Sequence, residues 1–513
     1  MARGATYMFV QGFAASLIGI VYIIVVTRIL SDTERGVYAI LNLILVAVQV
    51  FGTLALSSAS IKYIAQYLAE GKPKKARSIV SRVMQLSLLT SIVAAITISL
   101  LAMFLSSSLL SSQAYVSLFY FLAVASVLNL LYLQVASFIQ GLQRILELAI
   151  ATSIYTVLQN AVGISLLSIL PPESKLLGIV IGWIAGLLPS VLLGLAYTKK
   201  FIGFSWNLHP IRPLMKFSFP LYLSSILGFL VGWIDQIIVY FLLSQQTLGI
   251  YYIAVRASVV PSLIASSIIA ALFPKLSELY AQGGTPSLRK AFRASTRYAS
   301  LAGFPMIIGL AALAYPIVIL LAPALREAAW PLTILCFATL PSTLGVAIVP
   351  TLLTQERIKV ASIISAITVV FEAISGFALL IPLGMAGAAW SRVFASLLGF
   401  VLGIFALRKS LGIAFDKEAL WKSSVSSILM VLGIVSLDVV RQQISYGAVS
   451  LDQILVFSLR FLPIYIIVGA IAYIASLIAL KAIKKHDLDL LRDYLPKGFK
   501  WIANWLRLIT RVE

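Results

Sequence analysis

Residues 27–38 read TRILSDTERGVY, and residues 240–251 read YFLLSQQTLGIY. A shift of 213 positions lays Leu30-Ser31 on Leu243-Ser244, Gly36 on Gly249 and Tyr38 on Tyr251. The same shift pairs Lys62 with Lys275, Tyr67 with Tyr280, Gly71 with Gly284 and Pro73 with Pro286. Much further along it still pairs Arg144-Ile145 with Arg357-Ile358, and Gly163 with Gly376. An apolar composition produces chance identities, but not Gly, Tyr, Lys and Arg recurring at one ungapped offset. The chain therefore holds an internal duplication, and its fold must be built from two similar halves.

What is duplicated is membrane-spanning. Of 513 residues, 61% are hydrophobic and 11% are charged, against about 45–50% and 25% in soluble domains. That composition excludes a soluble enzyme and a disordered or nucleic-acid-coating chain. A span needs about 20 mostly apolar residues. Runs of that kind lie near 5–30, 36–59, 80–105, 115–140, 148–170, 176–198, 214–243, 249–273, 296–322, 330–353, 358–381, 385–407, 422–440 and 457–480. The expectation is an all-α polytopic protein with about 14 transmembrane helices. The runs lack the period-2 alternation of a membrane β-barrel. The first follows Met1-Ala2-Arg3-Gly4 directly, exceeds a signal-peptide core in length and has no small-residue cleavage pattern, so it reads as a retained helix.

The net charge is +21, with 39 Lys+Arg against 18 Asp+Glu. On a soluble chain that excess would suggest nucleic acid; here it sorts by loop. Segments after even-numbered runs, together with both termini, hold 31 of the 39 basic residues. The opposite loops hold Arg28, Arg35, Lys175, Arg326, Arg441 and Arg460, and two more, Arg256 and Arg392, fall within runs. The positive-inside rule then places both termini in the cytoplasm. One cysteine, Cys336, and two histidines, His209 and His486, argue against a disulfide framework and a metal centre.

Six runs per copy bring both copies in from the same side, so the halves should be related by a pseudo-two-fold along the membrane normal, an arrangement suited to alternating access. The expected organisation is an N-lobe over 1–210, a C-lobe over 211–410, two extra helices over 411–481 and a basic amphipathic tail over 482–513. The tail mixes Lys497, Lys500, Arg507 and Arg511 with Trp501 and Trp505, a composition suited to an anionic leaflet.

The segment Thr27-Arg28-Ile29-Leu30-Ser31 followed by Gly36-Val37-Tyr38 resembles the R-x-L…G-x-Y signature of polysaccharide exporters. Ile61-Lys62-Tyr63-Ile64-Ala65-Gln66-Tyr67 and the Gly71-Lys72-Pro73-Lys74-Lys75-Ala76 loop are similar to theirs too. The chain is identified on these motifs with the Wzx-type flippases of the multidrug/oligosaccharidyl-lipid/polysaccharide superfamily. The resemblance implies movement of a lipid-linked oligosaccharide from the inner to the outer leaflet, in association with membrane lipids and the glycosyltransferases or polymerase of one pathway. It also implies the plasma membrane as the location, and it places the first, second, seventh and eighth helices around a central cavity.

Charges inside spans cost about 2.5–3.5 kcal/mol on insertion scales, so each needs a partner or a hydrated cavity. Asp235 in the seventh run and Arg256 in the eighth should lie at similar depth, as should Glu372 in the eleventh and Arg392 in the twelfth. Their repeat mates are Tyr22, Leu43, Gln159 and Ile179, so the duplicated scaffold does not require these charges. Two readings stand. The four form ion pairs that fix lobe geometry, or Arg256 and Arg392 contact a substrate phosphate, which a guanidinium fork matches, while Asp235 or Glu372 serves as a H⁺ or Na⁺ site. Tyr22, Asn42, Gln49, Gln159 and Asn160 are further candidates to hydrogen-bond a sugar, or simply to bond a neighbouring helix. Arg28 lies near enough to the end of its run to snorkel.

Gly178, Gly182 and Gly186, four residues apart, read as a close helix-packing face. No phosphate loop accompanies the glycines near 283–284, so the expected driving force is an ion gradient and no organic cofactor. Rival readings are a cation-coupled multidrug or metabolite exporter and, more remotely, a membrane-embedded glycosyltransferase or polymerase. The latter needs a large catalytic loop with paired acids, whereas Asp32, Glu34, Glu173, Glu327 and Asp452 are scattered. The expectation is a monomeric transporter, not an enzyme.

Overall fold

The computed structural model describes residues 2–110, 112–201, 210–321, 323–412, 415–444, 451–484 and 487. Its regular structure there is helical. The expected tail is outside the described residues beyond 487. The chain divides into two compact units, Met1–Ile250 and Tyr251–Glu513.

Unit 1 contains α1 (Ala2–Ile29), α2 (Asp32–Thr53), α3 (Leu56–Ala69), α4 (Pro73–Leu109), α5 (Val116–Gly141), α6 (Ile145–Ile169), α7 (Lys175–Thr198) and α8 (Ile211–Leu242), and α9 (Gln245–Ser258) begins in it. Helix α6 runs along α7, α4 along α5, and α5 along α7, while α1 packs on α6. Unit 2 contains α10 (Ser262–Ala312), α11 (Ala314–Leu321), α12 (Ala329–Leu344), α13 (Ile348–Thr354), α14 (Ile358–Leu383), α15 (Met385–Leu411), α16 (Lys417–Ile444) and α17 (Leu451–Ala479). There α14 pairs with α15, α12 bridges α10 and α15, and the α16–α17 pair packs on α10.

Eleven helices among the described residues are long and apolar enough to cross a membrane. The number is twelve if Gly284–Ala312 and Ala314–Leu321, bent by 69°, make one span. Large apolar side chains stay exposed along them, among them Ile381, Ile169 and Leu100; on a multi-pass protein these face hydrocarbon. This count among the described residues neither reaches nor excludes fourteen; the runs outside it are the first and the eighth. The first lies in α1, Ala2–Ile29, whose stretch Ala14–Ile29 is apolar. The eighth is broken: α9 ends at Ser258, and Pro261, which lacks an N–H, sits in a turn before α10 starts.

The duplication appears as repeated local detail. Ser31 and Ser244, repeat mates, cap the helices that follow them, accepting from Glu34 N at 3.4 Å and Thr247 N at 3.0 Å. Gly71 and Gly284 both have positive φ (69° and 59°), as do Gln143 and Glu356 (both 58°). The next residues, Arg144 and Arg357, each donate to a backbone carbonyl near the end of the unit's last repeated helix: Tyr197 at 3.0 Å and Ala406 at 2.8 Å. At Tyr197 the guanidinium thus satisfies an orphan carbonyl of a helix C-terminus.

The opening motif now has a physical reading. Glu34 returns the Ser31 bond, accepting from Ser31 N at 2.7 Å, which completes a capping box on α2. Arg35, buried, donates to Thr27 O at 2.9 Å from Nε and pairs with Asp32, locking the α1–α2 corner. Tyr38 lies beside Trp183, ring centroids 6.3 Å apart. Ser31→Ala is expected to lower the unfolding free energy by about 1 kcal/mol, the usual cost of a lost cap. Denaturant unfolding in micelles checks this; an unchanged midpoint would show that the box is dispensable.

Candidate functional site

Glycine spacing sets the polar interior of unit 1. A Cβ on Gly182 of α7 would meet the Gly163 backbone of α6 at 2.7 Å, and one on Gly186 would meet Tyr155 O at 2.6 Å. The two helices therefore touch backbone to backbone, as their four-residue spacing implied. On its other side Gly163 faces the Tyr22 ring of α1, which a Cβ would reach at 3.3 Å. Tyr22 is thus drawn into the bundle at 5% exposure.

Around this contact sit buried carboxamides. Asn160 donates to Thr156 O at 2.8 Å. Its neighbour Gln159 has an enclosed Oε1 with no hydrogen-bond partner. Two further amides share that condition, Asn129 Oδ1 on α5 and Gln236 Oε1 on α8. Gln236 donates from Nε2 to Gly232 O at 3.0 Å, so only its acceptor is left over. A buried acceptor without a donor costs on the order of 1–3 kcal/mol. Three of them in one unit leave it able to receive donors such as hydroxyl groups.

The anticipated charges divide between the units. Asp235 is 1% exposed on α8 of unit 1, where Oδ1 accepts from Gln236 N at 2.8 Å. In unit 2, the Arg256 guanidinium lies 4.8 Å from the Tyr252 ring centroid, a cation–π contact. Glu372 is 2% exposed on α14, and Arg392 is half-buried on α15, which packs against α14. None of these four is without a partner. At two repeat positions, then, a neutral residue of unit 1 (buried Tyr22, half-buried Gln159) answers to a buried acid (Asp235, Glu372).

Other candidates are less engaged. Asn42 donates to Tyr38 O at 2.9 Å, a bond to its own helix. Gln49 is half-buried, and Arg28 is exposed. Sequence reading passed over Asn129 and Gln236, although both are amides inside apolar runs, the signal that picked out Gln159. It also passed over Gln134. This residue accepts from Ser87 Oγ at 3.3 Å and donates to Ser60 and Ser137 Oγ at 2.9 Å each, tying α3, α4 and α5 together. That network is fully satisfied and reads as structural. No group of three or more His, Cys, Asp or Glu poised for a metal occurs among the described residues.

Many apolar spans, close glycine packing and a sparse polar interior define a multi-pass membrane protein. Its fold matches a lipid II flippase, MurJ, in an inward closed conformation (TM-score 0.70, 17% identity, covering 91% of this chain and 97% of that one). It also matches an inward-facing multidrug resistance MATE family transporter (TM-score 0.62, 16% identity, 77% and 96%). A superfamily transporter from Pyrococcus furiosus matches at TM-score 0.57 and 13% identity, covering 79% and 95%.

The chain belongs to the polysaccharide biosynthesis protein family, which matches residues 1–280. A curated relative, the probable low-salt glycan biosynthesis flippase Agl15 of Haloferax volcanii, is 24% identical over 220 residues, 43% of this chain and 47% of the relative. The chain thus spans about half the length of that curated relative.

Proposed function

We propose that this protein flips a lipid-linked oligosaccharide, a glycan on a polyprenyl phosphate or diphosphate, from the inner to the outer leaflet by alternating access. The observation that carries the reading is the set of buried, donorless amide oxygens of Asn129, Gln159 and Gln236 in a protein of the polysaccharide biosynthesis family. Sugar hydroxyls are the donors that such oxygens lack. Family membership and the named function of the Haloferax relative support it.

On this reading the protein sits in the plasma membrane with both termini and its basic loops in the cytoplasm. Arg256 contacts a phosphate of the substrate, and Arg392 does so less directly. Asp235 and Glu372, the buried acids of the spans, are the residues available to a coupling H⁺ or Na⁺. Those acids also favour a second reading, a cation-coupled exporter of small molecules, which the MATE fold match supports over a smaller share of the chain.

Proteoliposomes loaded with a fluorescent lipid-linked oligosaccharide decide between the two. Wild-type protein is expected to translocate the lipid, and export of a small cationic drug without lipid translocation would overturn the flippase. Arg256→Ala is expected to lower translocation at least tenfold while the protein stays folded. A wild-type rate would remove Arg256 from phosphate recognition.

A further inference from the structure

The ends of α3, α4 and α8 meet over an apolar floor that includes Leu56, Ile64, Ile79 and Leu214. Two lysines there are held in an unusual way. Lys62 Nζ, on exposed Lys62 of α3, stands 4.1 Å from the Phe217 ring centroid and 5.3 Å from that of Tyr63. Lys75 Nζ, on α4, stands 5.7 Å from the Tyr67 centroid. The rings touch one another: Tyr63 and Tyr67 stack at 6.3 Å, and Tyr63 meets Phe217 edge-on at 5.7 Å. Two ammonium groups thereby rest on one continuous aromatic surface.

Neither lysine has an ion pair among the described residues. The acid in this stretch, Glu70, accepts from Lys72 at 2.7 Å and from Gln66 at 2.9 Å, and acts on Lys75 only through longer-range charge. Exposed Lys74, Arg77 and Lys216 add positive charge. A cation–π contact at an exposed site is worth only about 0.5–1 kcal/mol and leaves the ammonium's other donors open. An exposed lysine usually sweeps a wide volume; one resting on a ring has already lost much of that freedom, which lowers the cost of binding. The cluster is also particular to unit 1. Lys62 and Tyr67 recur as Lys275 and Tyr280, but Tyr63 and Lys75 are answered by Leu276 and Leu288. The duplicated scaffold does not need the full set.

We infer that Lys62 and Lys75, seated on Phe217, Tyr63 and Tyr67, form a docking site for the diphosphate of a prenyl diphosphate, separate from the interior amides and entered before translocation. The inference rests on the flippase reading for the identity of the lipid. Two cations on one aromatic surface suit a compact polyanion better than a singly charged phospholipid headgroup, and the adjoining ring edges offer apolar contact to the first isoprene unit.

The protein in phosphatidylcholine nanodiscs, titrated with farnesyl diphosphate at low salt, tests this. Wild type should bind, and the Lys62→Gln, Lys75→Gln double variant should bind about a hundredfold more weakly, roughly tenfold per charge-assisted contact. Phe217→Leu, which keeps both charges but removes a seat, should weaken binding several-fold. Lys62→Arg, Lys75→Arg should stay within a few-fold of wild type, which separates lost recognition from a damaged fold. Unaltered affinity in the Gln variant, or absence of wild-type binding, overturns the site. So does displacement of the probe by phosphatidylglycerol at equal concentration, which would mark a general anionic-lipid surface. Binding in a disc is independent of translocation, so its failure and that of the flippase reading are read separately.

Discussion

Gly36→Ala is expected to lower the unfolding free energy by about 3 kcal/mol, the upper end for overpacking a well-packed site, and to cut translocation more than tenfold. Gly36 opens α2 and faces the start of α9. A Cβ there would fall on the Gln245 carbonyl oxygen, with the Gln245 carbonyl carbon 2.8 Å away. The reverse substitution meets the same wall: a Cβ on Gly249 would lie 2.7 Å from Gly36 N and 2.8 Å from Asp32 O. Both obstacles are backbone, which cannot rotate aside as a side-chain tip does. Side chains close the corner further, since Gln245 Nε2 donates to Thr33 O at 3.1 Å. Gly228 supplies the control: it too lies inside a helix, but a Cβ there meets nothing within 4 Å. Gly228→Ala should be neutral or slightly stabilising, as Ala is the better helix former. Denaturant unfolding in micelles and the translocation assay read both variants. A Gly36→Ala protein with wild-type stability would show that α2 and α9 do not meet so closely.

Arg297→Ala is the second large effect, with an expected loss of about 3–5 kcal/mol, as for other buried ion pairs stripped of one partner. The Arg297 side chain is 8% exposed on α10. It donates from Nε to Asp487 at 3.0 Å, from Nη1 to Asp416 at 3.5 Å and from Nη2 to Ala482 O at 2.7 Å. Asp416 also caps α16, accepting from Ala419 N at 3.1 Å, while its own N–H donates to Thr296 Oγ1 at 3.4 Å. One guanidinium therefore ties α10 to the start of α16 and to the segment after α17. Its removal strands two carboxylates and a carbonyl. Arg297→Lys should recover only part of the loss, because an ammonium cannot present the same planar fork to three acceptors. Hydrogen exchange should rise at residues 416–423 and 479–484 ahead of the rest of unit 2. Uniform exchange across the unit would mean that the contact is not a local clasp.

The same clasp carries a pH signature. Burial pushes the Asp487 carboxyl up, but hydrogen bonding and charge from Arg297 outweigh burial and hold it below the usual carboxylate range. A depressed acid contributes stability that is complete above its unfolded pKa and is lost as pH falls through its folded pKa. Wild-type α16–α17 attachment should thus persist through mildly acidic pH. In Asp487→Asn that acid-side loss should disappear, along with part of the stability at neutral pH.

Much of this was legible in linear form. Duplication needs only identities at one offset, and multi-pass character needs only run length and scarcity of charge, because hydrocarbon tolerates no unsatisfied backbone over about 20 residues. The glycine face of α7 and the importance of residues 27–38 could be read for the same reason: both are local patterns. The same patterns do not fix the exact span number. Whether 249–273 crosses as one helix depends on a break at Val259–Pro261, and a hydropathy window averages over it.

Side-chain roles divided along a similar line. Asp235, Glu372, Tyr22 and Gln159 were visible as polar residues in apolar runs, and each proved buried or partly so. Arg35 counted only as a loop charge, yet it locks a corner; Arg297 counted toward topology, yet it is a buried hub. Charge sorting assigns residues to a side of the membrane and is blind to whether an arginine folds back onto a carbonyl. The aromatic seat of Lys62 and Lys75 was equally invisible, since Phe217 lies more than a hundred residues away.

Sequence alone determined that the chain is a duplicated, helical, multi-pass membrane protein with its basic residues gathered in alternate loops. These properties follow from composition, period and offset, and each can be measured along a line. Only the tertiary structure decided which glycines touch backbone, which amide oxygens are left without donors and which arginines are clasps. Those outcomes depend on which helices become neighbours, and that is set by packing between segments distant in the chain.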